Sequence, residues 1–291
     1  MDFRLTDDQR ALRAGVRALL TARFGREALR AAVAEPRLDR ALWRELGAAG
    51  FFSLRLPEDE GGAGLGLPEA VLVFEEAGRV LLPGPLVATH LAAGTVPGAA
   101  TGESVVTASD GALVPWMDAA DAVLGGLTDP VPVRSLDPLT PLHRDTGGSA
   151  GTPDPVAVLL TAAEQLGTAA RTTDMAVRYA RERLQFGRPI GSFQAVAHLC
   201  ADMLVRTEPA RAAVYAAAVT ADPAEIAGAK LLADEAAVRG ARDCLQVFGG
   251  TGFTWEADVH LHLKRAWLRA AMWLTAADAE ELQAQALASA R

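Results

Sequence analysis

The chain predicts a mainly α-helical protein, with short helices at its N-terminal end, a small strand-and-loop region in the middle and a bundle of four long helices at its C-terminal end. Three observations carry this expectation. Ala and Leu dominate, half of the residues are hydrophobic and only 5% are aromatic, a composition that favours helix over strand. Apolar residues recur at helical spacing over most of the chain, as in Leu5, Leu12, Val16, Leu19 and Leu20. Residues 97–153 break that pattern, with frequent Gly, Pro, Asp, Thr and Ser and only short apolar runs.

Taken in order, Thr6 is placed to cap a first helix. A second fits Leu38 to Ala49, with Leu42, Trp43 and Leu46 inward and a stop at Gly50. Pro57 and the Gly61/Gly62/Gly64/Gly66 cluster then demand a turn-rich surface segment. Pro68 opens a third helix over Glu69 to Arg79, whose Glu75–Glu76 pair reads as a solvated or capping face. A fourth segment covers Leu86 to Ala93. The apolar runs Ser104–Ala108, Ala112–Pro115, Ala122–Leu124 and Val131–Val133 read as short strands, and GGSAGTPDP at 147–155 as a linker. Long helices follow over Pro155–Arg183, Phe193–Ala221 and Ala224–Phe248, then a last stretch over Glu256–Ala288 that breaks near Thr275. These divisions place an N-terminal helical domain at 1–98, a middle region at 99–153 and a four-helix bundle at 154–291.

A net charge of −8 argues against a nucleic-acid surface, which requires basic clusters. No apolar run approaches the ~18 residues of a membrane span. The charged start MDFRLTDDQR carries no signal-peptide pattern. Cys200 and Cys244 lie in apolar helical contexts and read as buried free thiols of a reducing compartment, so the expectation is a cytoplasmic protein. His260 and His262, two apart, fall on different helix faces, so no metal site is expected there.

Two stretches carry the chemistry. One is YARERLQFGRPIGSFQ, from Tyr179 to Gln194, and the other QVFGGTGFTWE, from Gln246 to Glu256. With LWRELGAAGFFSLRLPEDEGGAGLG (Leu42–Gly66) and VFEEAGRVLLPGP (Val73–Pro85), they resemble the acyl-CoA dehydrogenase family. The likeness covers nearly all of the chain outside 100–150, and VFEEAGRVLLPGP is similar to a subgroup of actinobacterial-type lipid and steroid catabolism. The resemblance implies the family's fold and an FAD lying in a subunit interface, touched at its pyrophosphate–adenine end by the neighbouring chain. An anionic pyrophosphate needs a guanidinium, N–H donors and room for close approach. By resemblance, Arg183 supplies the first, Gln185 a hydrogen bond, Phe186 an aromatic contact, and Phe193 and Val196 apolar walls. Gln246, Gly249 and Gly250 match the family's QxxGG, whose glycines let backbone approach the adenosine portion. Taken singly, each has a plainer reading: Arg183 as a helix C-terminal charge, Phe186 as core, Gly249–Gly250 as a helix stop.

Three departures from the family matter. The middle region is about half the size of the family's β-domain and lacks its TEP-type motif; WMDAAD (Trp116–Asp121) and RSLDPLTP (Arg134–Pro141) look like its remnant. A remnant of that size is expected not to wrap a flavin ring. The catalytic base is also missing. The α-proton of an acyl-CoA must pass to a carboxylate while hydride goes to the flavin. Counting by family spacing from Glu256 reaches Trp273, and counting back from Tyr179 reaches Ala157 and Val158, none of them acidic. The remaining candidate is Glu164, the one acidic residue well inside the apolar stretch of the first long helix; its plainer reading is an ion pair with an arginine across the bundle. Glu256 reads as a turn or cap residue.

The resemblance therefore implies the smaller subunit of a heterotetramer of two small and two full-length acyl-CoA dehydrogenase chains. It would lend half of an FAD site to the full-length partner, act on an acyl-CoA thioester and pass electrons to an electron-transfer flavoprotein. A self-sufficient homomeric enzyme using Glu164, a non-catalytic structural partner, and an enzyme acting on a carrier-protein-bound acyl chain remain open on the same residues.

Overall fold

A computed structural model of the protein describes residues 4–109, 112–147 and 152–289. Helix α1 (Asp7–Arg23) starts at a full capping box, in which Thr6 Oγ1 accepts the Gln9 N–H and Gln9 Oε1 accepts the Thr6 N–H. After it come α2 (Arg26–Ala34), α3 (Arg40–Ala48), capped by Asp39, α4 (Leu67–Val80), with Pro68 in its first turn, and α5 (Leu86–Ala92). The N-terminal part thus has five α-helices where four were expected. The additional one, α2, spans nine residues behind Gly25, which offers no side-chain cap to mark it.

A second correction concerns Glu75 and Glu76. Both are 2% exposed, not solvated. Glu76 accepts Nε and Nη2 of Arg17 at 2.8 and 2.5 Å, tying α1 to α4. Glu75 accepts the Tyr215 hydroxyl at 2.7 Å and pairs with Arg211. Buried carboxylates persist only when paired in this way.

The middle strands form two small sheets. Strands β1 (Val106–Ala108) and β3 (Ala122–Leu124) pair in parallel. Strands β2 (Leu113–Pro115), β4 (Pro130–Val133) and β5 (Leu142–Asp145) form an antiparallel sheet in the order β2–β5–β4. The central strand β5 was not expected, because LHRD has no apolar run. Asp145 at its end binds the Thr128 and Asp129 N–H groups. Residues 148–151 of the expected linker lie outside the described residues.

Beyond them run α6 (Pro155–Glu182), α7 (Gln194–Thr220) and α8 (Pro223–Phe248), with Asp154 and Asp222 as N-caps. The fourth element is α9 (Val259–Ala270) and α10 (Ala276–Ser289), interrupted between them as expected. One core joins α1–α5 to α6–α8, and a second cluster sits at the far end of the bundle. Helices α4 and α6 cross in direct backbone contact, since a Cβ on Gly78 would overlap the Glu164 carbonyl and one on Gly167 the Glu75 carbonyl. No described helix is long and apolar enough to cross a membrane.

Candidate functional site

The two motifs come together at one end of the bundle. Tyr179, near the end of α6, stacks on Phe248, the last residue of α8, with ring centroids 4.0 Å apart and planes 12° apart. That contact belongs to the second core cluster, against which Ile190 and Val196 also pack. Arg183 follows α6 as its C-cap, donating its N–H to Tyr179 O at 2.8 Å and accepting Ile190 N–H at 2.8 Å. The chain then makes a hairpin, β6 (Leu184–Gln185) against β7 (Arg188–Pro189). Its two turn residues, Phe186 and Gly187, both have positive φ, as a two-residue hairpin turn requires.

Phe186 is not core. It is 89% exposed at the tip of the hairpin, its ring 6.0 Å from that of Phe193 in an edge-on arrangement. Arg188 lies over the Phe193 ring at 4.2 Å. Arg183, Gln185, Gln246 and Gly250 are exposed, and Phe193, Val196 and Gly249 are half-buried. Gly249, with φ 58° and ψ −141°, holds a conformation that only glycine adopts readily. A Cβ at Gly249 or Gly250 would meet nothing, so the backbone there stands open to an approaching molecule. The site is therefore a platform on the surface, with two guanidiniums, two amides, two aromatic rings and bare backbone.

The loop between α8 and α9 is anchored to the N-terminal helices. Arg30 donates to the carbonyls of Trp255 and Glu256 at 2.6 and 2.8 Å, and Arg26 to Asp258 and the Glu256 carbonyl at 2.8 Å. Trp255, 57% exposed, stacks on His260. Glu256 itself is exposed, and its main chain is held by these arginines.

Glu164 lies elsewhere, in the N-terminal half of α6, on a small cavity between α5, α6, α9 and the middle strands. Its Oε1 accepts Arg269 Nη2 at 2.6 Å, and both side chains are nearly out of water. Burial raises the Glu164 carboxyl above its ordinary value, opposed by Arg269 and Arg265. Burial likewise pulls the Arg269 guanidinium down to about 10, with Glu164 opposing that shift. Beside it Arg265 pairs with Asp137, from the loop between β4 and β5. Asp137 is fixed in turn, accepting the Thr140 hydroxyl at 2.7 Å and the Leu139 N–H at 3.0 Å. Trp116 and Trp273, both with positive φ, also line this cavity.

The space left there is about 50 Å³. A cavity of that size holds a water or two, whereas an organic cofactor needs roughly 300 Å³ or more. The buried donors Arg265 Nη2, Arg269 Nη1 and Thr161 Oγ1 have no protein partner among the described residues, which suits such waters. A flavin ring does not fit between these side chains. The surface platform, by contrast, has the donors and open backbone that one flank of an FAD requires. Sequence reasoning did not find Asp137, Arg265 and Arg269 as cavity residues, because their partners are distant along the chain.

Comparisons with known proteins bear on the same residues. The model of the acyl-CoA dehydrogenase N-terminal domain matches residues 6–104, and that of the acyl-CoA dehydrogenase C-terminal domain matches 157–289. The chain is 39% identical over 294 residues to acyl-CoA dehydrogenase IpdE2 of Mycobacterium tuberculosis, covering 89% of this chain and 91% of that protein. Its fold is similar to the ChsE4-ChsE5 complex from Mycobacterium tuberculosis, with TM-score 0.85 and 27% identity over 99% of both chains. It is also similar to a variant of the Tcur3481-Tcur3483 steroid ACAD, with TM-score 0.85 and 25% identity over 98% of both chains. With both domain models matched and a relative aligned over nearly its whole length, this chain belongs to the acyl-CoA dehydrogenase family, whose members are FAD-dependent oxidoreductases.

Proposed function

We propose that this chain is the small subunit of a heteromeric flavin-dependent acyl-CoA dehydrogenase, and that it lends one flank of an FAD site to a full-length homologous subunit while holding no flavin of its own. The observation that carries the proposal is an asymmetry. The cavity where its own flavin and base would meet measures about 50 Å³ and is filled by the Asp137–Arg265 and Glu164–Arg269 pairs. The residues that would serve a neighbour's cofactor stand exposed together at the other end of α6. The likeness to the ChsE4-ChsE5 complex and to the Tcur3481-Tcur3483 steroid ACAD supports an assembly of two kinds of chain and a steroid-derived or similarly bulky acyl-CoA as substrate.

In this role Arg183 pairs with the pyrophosphate, with Gln185 and Gln246 as hydrogen-bond partners beside it. Gly249 and Gly250 admit the adenosine portion against bare backbone. Phe186, Phe193 and Val196 form the apolar side and exclude water. FAD, when bound, supplies the hydride acceptor for α,β-desaturation of the thioester, with an electron-transfer flavoprotein as the next acceptor. The proton must go to a base on the partner, because Trp273, Ala157 and Val158 occupy the positions where the family carries one.

The test is flavin content. Purified alone, the chain should carry little FAD; co-expressed with a full-length homologue, the complex should carry two per four chains. Arg183→Ala in that complex should lose most of its flavin. A full equivalent of FAD on the chain alone overturns the proposal.

One observation favours a second reading, a homomeric enzyme with Glu164 as base: its carboxylate lines the cavity with its proton affinity raised. Under that reading Glu164→Gln abolishes turnover, whereas under the first it leaves the complex active.

A further inference from the structure

A second, larger cavity of about 640 Å³ lies between α1, α2, α4, the C-terminal half of α6, the loop between α8 and α9 and the start of α9, and shares no lining residue with the Glu164 cavity. Five arginines and three carboxylates line it, an excess of positive charge in a chain of net charge −8. Three of the arginines are neutralised: Arg17 by Glu76, Arg79 by Asp174 and Arg26 by Asp258. Arg171 and Arg178 make no ion pair or hydrogen bond among the described residues. They stand seven residues apart on α6, two turns along one face, with Met175 between them on the cavity wall.

The deep wall is His262. The residue is 3% exposed, and its Nδ1 has no hydrogen-bond partner among the described residues. Burial first, and then Arg171, Arg265, Arg269 and Arg79, push its proton affinity down to about 3. Arg171 is itself destabilised as a cation, first by burial and then by Arg178 and Arg79, opposed by the Asp174 and Asp258 carboxylates. Leu20, Phe24 and Val80 complete an apolar side.

An unpaired guanidinium in a half-buried, positively charged hollow is costly unless an anion joins it. We propose that this cavity binds a small amphiphilic organic anion, its carboxylate held by Arg171 and Arg178 and its apolar body lying against Leu20, Phe24 and Met175. The volume matches a small-molecule site. Arg183, Gln185, Gly249 and Gly250 do not line this cavity, whereas Phe248 and, from the loop after it, Thr251, Thr254 and Glu256 do, so the test reads binding of a carboxylate and not flavin content.

The experiment is calorimetric titration of the full chain with hexanoate and with acetate, repeated on Arg171→Gln and Arg178→Gln. Neither arginine is paired, and Arg178 is exposed, so both variants should fold, which thermal melts verify. Saturable hexanoate binding at least tenfold tighter than acetate, and weakened at least tenfold by either substitution, is the expected result. Hexanoate binding no tighter than acetate, or binding unchanged in both variants, overturns the proposal.

Discussion

Asp137, on the loop between β4 and β5, is 0% exposed and pairs with Arg265 of α9, itself almost completely buried. One residue of the reduced middle region thus neutralises a guanidinium that lines the cavity beside Glu164. Removing Asp137 leaves that charge buried and alone, which typically costs about 3–5 kcal/mol. Asp137→Ala should lower the unfolding free energy in urea by that amount; a loss under about 1 kcal/mol would mean that the pair is solvated or replaceable.

The crossing of α4 and α6 gives a prediction about shape rather than charge. Gly167→Ala and Gly78→Ala each drive a methyl group into a carbonyl of the facing helix, so the helices must separate. Overpacking of this kind costs about 1–3 kcal/mol. Each variant should melt several degrees lower than the parent chain, whereas Gly15→Ala, where a Cβ meets nothing on exposed α1, should not be destabilised.

Glu75 holds α7 against α4 through Arg211 and Tyr215. Burial and the neighbouring Glu75 carboxylate push the Tyr215 phenol up to about 12, so the hydroxyl donates throughout the physiological range. Tyr215→Phe removes one hydrogen bond to a charged group, worth about 1.5–3 kcal/mol. Glu75→Ala should cost more, since it strips Arg211 as well. Equal losses from the two substitutions in chemical denaturation would show that Arg211 contributes nothing to the network.

Stability should fall as the solution is acidified from pH 6.5. Burial, with a contribution from Arg55, holds His90 down to about 4, and His262 is held to about 3. In the unfolded chain both rings take up protons near the ordinary value of 6.5. Between that value and the folded ones the unfolded state binds more protons. Folding therefore loses about 1.4 kcal/mol per pH unit for each ring. Glu164, raised by burial, acts with the opposite sign and softens the loss at the acidic end. His260 is lowered too and adds to the same loss, so His262→Gln should make the slope between pH 6.5 and 5 shallower without abolishing it; an unchanged slope contradicts the assignment.

The sequence by itself determined what depends on neighbours in the chain. Thr6 marks the start of α1 because a cap acts on N–H groups two or three residues away. The break near Thr275 and the absence of a carboxylate at Trp273, Ala157 and Val158 were legible for the same reason. What the chain alone could not disclose were relations between distant residues. Strand β5 exists because β2 and β4 flank it, not because LHRD favours a strand. Glu75 and Glu76 looked solvated because charged residues usually are, and only their partners Arg211, Tyr215 and Arg17, far along the chain, make burial tolerable. The meeting of Asp137 with Arg265, and of Glu164 with Arg269, was decided by tertiary structure, since low-dielectric pairing depends on where the backbone brings two charges together and not on their spacing in sequence.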